Sequence, residues 1–166
     1  MRLRTLLLAL PLVLTACGGS SDPKALVDEG RQAMASQNYA EAQTRFQAAV
    51  DAIGGDAAHA NFEQAHRQLI AATAHVDAGQ AKTMLMDFMK NHGDKLDVNE
   101  FVTLLGQFGS AGAFSEAADL ISEGKKAYPD GTAAIDKLGK NLAAQATKAG
   151  DAGGVSSLSG LGYVGD

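Results

Sequence analysis

The stretches NYAEAQTRFQAAV at positions 38–50 and AFSEAADLISEGK at 113–125 decide how this chain folds. Each carries an aromatic residue, then alanine three positions on, a large apolar residue four further, and a small residue three beyond that. The residues are Tyr39, Ala42, Phe46 and Ala49 in the first stretch, and Phe114, Ala117, Ile121 and Gly124 in the second. Steps of three and four put all four on one face of an α-helix. Alternating small with bulky residues on that face lets a second helix approach closely, because the small positions leave room for its side chains.

Each helix has a preceding partner. Asp22-Pro23 supplies an N-cap followed by proline at the first helical position, and Leu26, Gly30, Ala33 and Met34 then share a face. Ser36-Gln37-Asn38 breaks the chain before the second helix, which carries Val50 and Ile53 on its apolar face and stops at Gly54-Gly55. Before the later stretch, Asp97 and Glu100 have capping-box spacing, and Phe101, Leu104, Leu105 and Phe108 form the apolar face. Between these two units lies a less regular hairpin, with Phe62, Leu69 and Ile70 on one helix and Ala81, Leu85, Phe88 and Met89 on the next. Beyond Pro129, Ile135, Leu138, Gly139 and Leu142 mark a last helix with no second helix behind it. Alternating strand patterns are lacking and alanine is abundant, so the fold class is all-α.

The two matched stretches resemble the second half of a tetratricopeptide repeat, a 34-residue helical hairpin. The resemblance implies antiparallel hairpins stacked as a short solenoid over 23–149, with the helix after Pro129 as C-terminal cap. In that architecture the first helix of each hairpin lines a concave face that binds other proteins. The residues it implies for that face are Arg31 and Gln32, then Gln64, Arg67 and Gln68, then Thr103 and Gln107. The segment 150–166 is rich in glycine around a small apolar island of Leu158, Leu161, Tyr163 and Val164. That composition predicts a flexible tail, the alternatives being docking in the chain's own concave groove or presentation to a partner.

The N-terminus gives the address. Arg2 and Arg4 precede an apolar run from Leu6 to Leu14, far short of the roughly 20 residues that span a bilayer, which predicts a signal peptide over 1–16. Leu14-Thr15-Ala16-Cys17 resembles the lipobox of bacterial lipoproteins. The resemblance implies cleavage before Cys17 and diacylation of its sulfur, with 17–22 as lipidated residue and Gly/Ser spacer. A single acyl chain binds a membrane marginally, and two or three make the anchor durable. Gly18 in the position after the cysteine implies the outer membrane, facing the periplasm, over the inner one. Cys17 is the chain's one cysteine, so no internal disulfide is available. With 14 basic against 19 acidic residues, the chain has no basic surplus for nucleic acid.

Chemistry-bearing patterns are few. His59, Glu63 and His66 fall at helical spacing, and with His75 they form the alternative reading, a helical bundle binding a small molecule or metal, enzymes included. No second Glu-x-x-His accompanies them, and no Gly-x-Ser-x-Gly elbow or phosphate-binding loop is present. The expectation is a non-enzymatic protein without catalytic residues, metal or cofactor. Met84, Met86 and Met89 read as core filling, except that Met86 lies off the face shared by Leu85, Phe88 and Met89 and is expected to be exposed.

Overall fold

The computed structural model describes residues 21–164. The signal peptide, the lipobox and Cys17 lie outside the described residues. Eight α-helices follow in order: α1 (Pro23–Ala35), α2 (Tyr39–Ile53), α3 (Phe62–Val76), α4 (Ala78–His92), α5 (Val98–Ser110), α6 (Phe114–Ala127), α7 (Thr132–Ala149) and α8 (Ala152–Gly160). Short 3₁₀ turns at Gly93–Lys95 and Pro129–Gly131 link the second hairpin to the third and the third to the last.

Local signals start and stop these helices. The Asp22 carboxylate accepts from the Lys24 and Ala25 backbone N–H groups, with Pro23 in the first turn. Asp97 and Glu100 close a reciprocal capping box, the Glu100 N–H donating to Asp97 at 2.9 Å and the Asp97 N–H donating to Glu100 at 3.1 Å. Gly54 ends α2 in the left-handed conformation at φ 65°, which glycine adopts without a Cβ penalty.

The helices pair in sequence and the pairs stack. α1 packs on α2, α3 on α4, α5 on α6 and α7 on α8. Between pairs, the first helices meet in a row (α1 with α3, α3 with α5, α5 with α7), while α4 meets α6 and α6 meets α8. This is an all-α stack of sequential hairpins, consistent with a helical-repeat fold. One core runs through it, with Phe46, Phe62, Phe101, Phe108, Leu105, Ile121, Ile135 and Leu142 almost completely buried.

Glycines set how closely the pairs approach. A Cβ on Gly30 of α1 would lie 2.5 Å from the Phe46 ring of α2, and one on Gly124 of α6 would lie 2.1 Å from the Phe101 ring of α5. A Cβ on Gly109 of α5 would meet Leu142 of α7 at 2.3 Å, so the same fit joins successive pairs. Each bulky side chain fills the space a methyl group would take, at the close packing typical of protein interiors.

The glycine-rich end is a correction to the expectation of a flexible tail. Residues 152–160 form α8, and α7 therefore has a second helix behind it and is not the terminal cap. Glycine costs a helix about 1 kcal/mol relative to alanine, and here tertiary contacts offset that. The Asp151 carboxylate accepts from the Gly154 N–H at 3.0 Å, Leu158 is fully buried, and a Cβ on Gly154 would lie 2.5 Å from the Phe114 Cβ. Past the helix, the Tyr163 ring lies against Gly139, and its hydroxyl donates to Asp136 at 2.6 Å. Lys125 donates to the same carboxylate oxygen at 2.7 Å. The segment docks on α6 and on α7, the last helix of that row.

Two substitutions test the packing account. Gly124→Ala is expected to cost about 1–3 kcal/mol in urea unfolding, because Phe101 must move. Gly106→Ala in α5, where an added Cβ meets nothing within 4 Å, is expected to stabilise by up to about 1 kcal/mol. For the C-terminal segment, Leu158→Ala is expected to destabilise by about 2 kcal/mol or more; a loose tail would leave the unfolding curve unchanged.

Candidate functional site

Three first helices shape one open groove. Its floor is Met34 of α1, Ala71 of α3 and Leu104 of α5, and its walls carry Arg67 and Gln68 from α3 and Glu100, Thr103 and Gln107 from α5. The spacing of the side chains is helical: Arg67, Gln68 and Ala71 occupy one turn of α3, and Glu100, Thr103, Leu104 and Gln107 two turns of α5. The row of first helices therefore presents polar side chains above a strip of apolar core.

Each wall residue has a distinct state. Arg67 pairs with Glu100 across the groove, and Glu100 is the same residue that closes the α5 capping box. One carboxylate thus fixes the start of α5 and neutralises the arginine, so the groove has no unbalanced charge there. The Thr103 hydroxyl donates to the Asn99 carbonyl at 2.8 Å, one helical turn back. Gln107 of α5 approaches the His75 ring, which lies flat on Tyr39 with ring centroids 3.9 Å apart. That stack joins α2, α3 and α5 at one end of the groove. The two glutamine amides and the threonine offer neutral donors and acceptors, a set suited to the backbone and polar side chains of another protein.

Of the residues the sequence pointed to, Arg67, Gln68, Thr103 and Gln107 come together here. Arg31 and Gln32 do not; they are exposed on α1, and Arg31 approaches Asp28 on its own helix at 4.0 Å. Gln64 is half-buried and lies outside the lining. Met34, Ala71, Leu104 and Glu100 were missed. The first three carry an apolar signal that reads as core, and Glu100 reads as a cap.

The histidines do not form the pocket required by the alternative reading. His59 precedes α3, in a turn where its Nδ1 accepts from the Asn61 N–H at 3.1 Å, so the helical spacing with Glu63 and His66 is not realised. His66 Nδ1 donates to the Phe62 carbonyl at 2.9 Å, and its ring packs against Phe62 at 4.2 Å and Phe88 at 5.4 Å. His75 sits at the far end of α3 against Tyr39. Among the described residues no group of three or more His, Cys, Asp or Glu side chains is placed to hold a metal ion, which disfavours the metal reading. Nor is any helix there long and apolar enough to cross a membrane. Met86 is 42% exposed, as its position off the apolar face implied.

Comparison with protein-family models, with curated proteins and with solved structures finds no match for this chain.

Burial is the main influence on both half-buried histidines, pushing His66 and His75 below the ordinary value of 6.5; the Phe62 carbonyl and Gln107 respectively oppose it. The folded state therefore favours neutral imidazole. Stability from this source is complete above the ordinary value and is lost as pH falls from there through the lower folded values. Melting temperatures measured from about pH 7.5 to about pH 5 are expected to drop across that window. The drop is expected to be shallower in His66→Gln, which cannot take up the proton.

Proposed function

We propose that this chain is a lipid-anchored cell-envelope protein that works by binding other proteins, as a scaffold or assembly accessory, and not by catalysis. The observation that carries this reading is the convergence of Arg67, Gln68, Thr103 and Gln107 on one open groove over an apolar floor. The stack of hairpins supports a tetratricopeptide-like identity, since small residues sit under large ones at the positions that motif uses, Gly30 under Phe46 and Gly124 against Phe101. The anchor rests on the lipobox pattern Leu14-Thr15-Ala16-Cys17 and the signal-like run before it. Gly18 favours the outer membrane, facing the periplasm.

The partner is a protein segment, and the chemistry of the walls narrows its kind. With Arg67 and Glu100 satisfying each other, a strongly charged segment gains little; a segment with exposed backbone and small apolar side chains matches the amides and the floor. No basic surface excess favours nucleic acid, because acidic residues outnumber basic ones, 19 to 14.

A photoreactive residue introduced at Thr103 in intact cells is expected to crosslink a specific protein, while one at Thr44, exposed on α2, does not. Equal recovery from both positions, or recovery only of lipid and abundant envelope proteins, would count against the reading. Mass spectrometry of the mature N-terminus is expected to show acylated Cys17; an unmodified thiol would remove the anchor.

A further inference from the structure

On the side of the stack formed by second helices, α4 and α6 leave a groove lined by Met86, Asp87, Met89 and Lys90 of α4 and by Glu123, Lys126 and Ala127 of α6. Met86 and Val76 are the large apolar residues exposed among the described residues, and Met86 lies in this groove. Lys82 of α4 pairs with Asp119 of α6 at 2.7 Å, one helical turn before Met86 and Glu123. One turn further on, Lys90 stands beside Lys126 and Ala127. The two helices therefore run parallel and in register.

That register gives the groove an electric direction. Asp87 and Glu123 lie at one level, and Lys90 and Lys126 lie three residues on along both helices, so one end is acidic and the other basic. Met86 and Met89 supply most of the apolar part of the lining. Asp87 and Lys90 are exposed and have no ion-pair partner among the described residues. Glu123 and Lys126 pair with each other at 2.7 Å, but Lys126 is exposed and Glu123 half-exposed, and such a surface pair exchanges at little cost.

A partner of uniform charge, of either sign, would meet repulsion at one end of this groove. A partner must carry the reverse order, acid over lysine and lysine over acid. The same groove turned end over end has that order, which is the self-complementarity a twofold contact requires. Methionine side chains adapt their shape and suit a contact in which each surface meets its own copy. The rest of the chain is acidic, with a formal net charge of −5, so two copies repel elsewhere, and this groove, whose two acidic and two basic residues balance, is where their approach costs least.

We propose that the α4/α6 groove is a contact site for a second copy of this chain, the copies running antiparallel so that Asp87 and Glu123 of each face Lys90 and Lys126 of the other. Two turns of two helices make a small interface, so the dimer is weak and concentration-dependent. It uses the opposite side of the stack from the row of first helices and leaves their groove open. It does not depend on the protein-binding reading of that groove.

The test is sedimentation velocity of the full chain in mild detergent over a wide concentration range. An acidic variant, Lys90→Glu with Lys126→Glu, and a basic variant, Asp87→Lys with Glu123→Lys, are compared with the unaltered chain in the same micelles. The unaltered chain is expected to dimerise as concentration rises, and each variant alone to bind itself on the order of tenfold more weakly. Mixing the two variants in equal amounts is expected to restore the dimer, a result that loss of folding cannot produce; circular dichroism melts of each variant verify that the fold is intact. A monomer at every concentration, a dimer indifferent to these charges, or no recovery on mixing would overturn the proposal. So would a photoreactive residue at Met86 that crosslinks in cells to a different protein and not to this chain.

Discussion

The structure depends on bulky side chains seated over glycine. Phe46 occupies the space above Gly30, Phe101 the space at Gly124, Leu142 the space at Gly109 and Tyr163 the space at Gly139. In each case the approach is closer than any side chain would allow, so the distance between helices is set by these contacts. They join α1 to α2, α5 to α6 and α5 to α7, and they seat Tyr163 on α7. A helix displaced by one methyl radius would move its neighbours as well, because interiors at crystal-like density transmit strain.

The surfaces follow from that spacing. Where the first helices stand in a row, their outward residues converge above Met34, Ala71 and Leu104. On the other side, α4 and α6 are held in register by Lys82 and Asp119, which brings charges on two helices to the same levels. Glu100 links local and tertiary order. Its side chain is part of the α5 cap and also faces Arg67 on α3, so the start of one helix and the wall of the groove share one carboxylate.

The C-terminal segment shows how composition misleads. Six glycines from Gly150 to Gly165, with several serines among them, argue for a loose chain when helix propensity is weighed alone. In the folded molecule Gly154 lies against Phe114, Leu158 is buried, and Tyr163 reaches Asp136. Glycine there serves close approach, and no local pattern distinguishes that use from flexibility. The turn around His59 is similar: helical spacing places it beside Glu63 and His66, but α3 begins only at Phe62, because the chain first has to turn away from the end of α2.

By itself the sequence determined the all-α class, the hairpin pairing, the capping of α1 and α5, the exposure of Met86 and the placing of Arg67, Gln68, Thr103 and Gln107 on first helices. These rest on periodicity and caps, which depend on neighbours within one or two helical turns. Only the tertiary structure decided that Arg31, Gln32 and Gln64 stand outside the groove, that three core-like residues form its floor, that the histidines separate, and that the last segment folds back as α8. Each of those outcomes depends on which helices meet and how closely they approach, a quantity fixed by contacts between residues far apart in the chain.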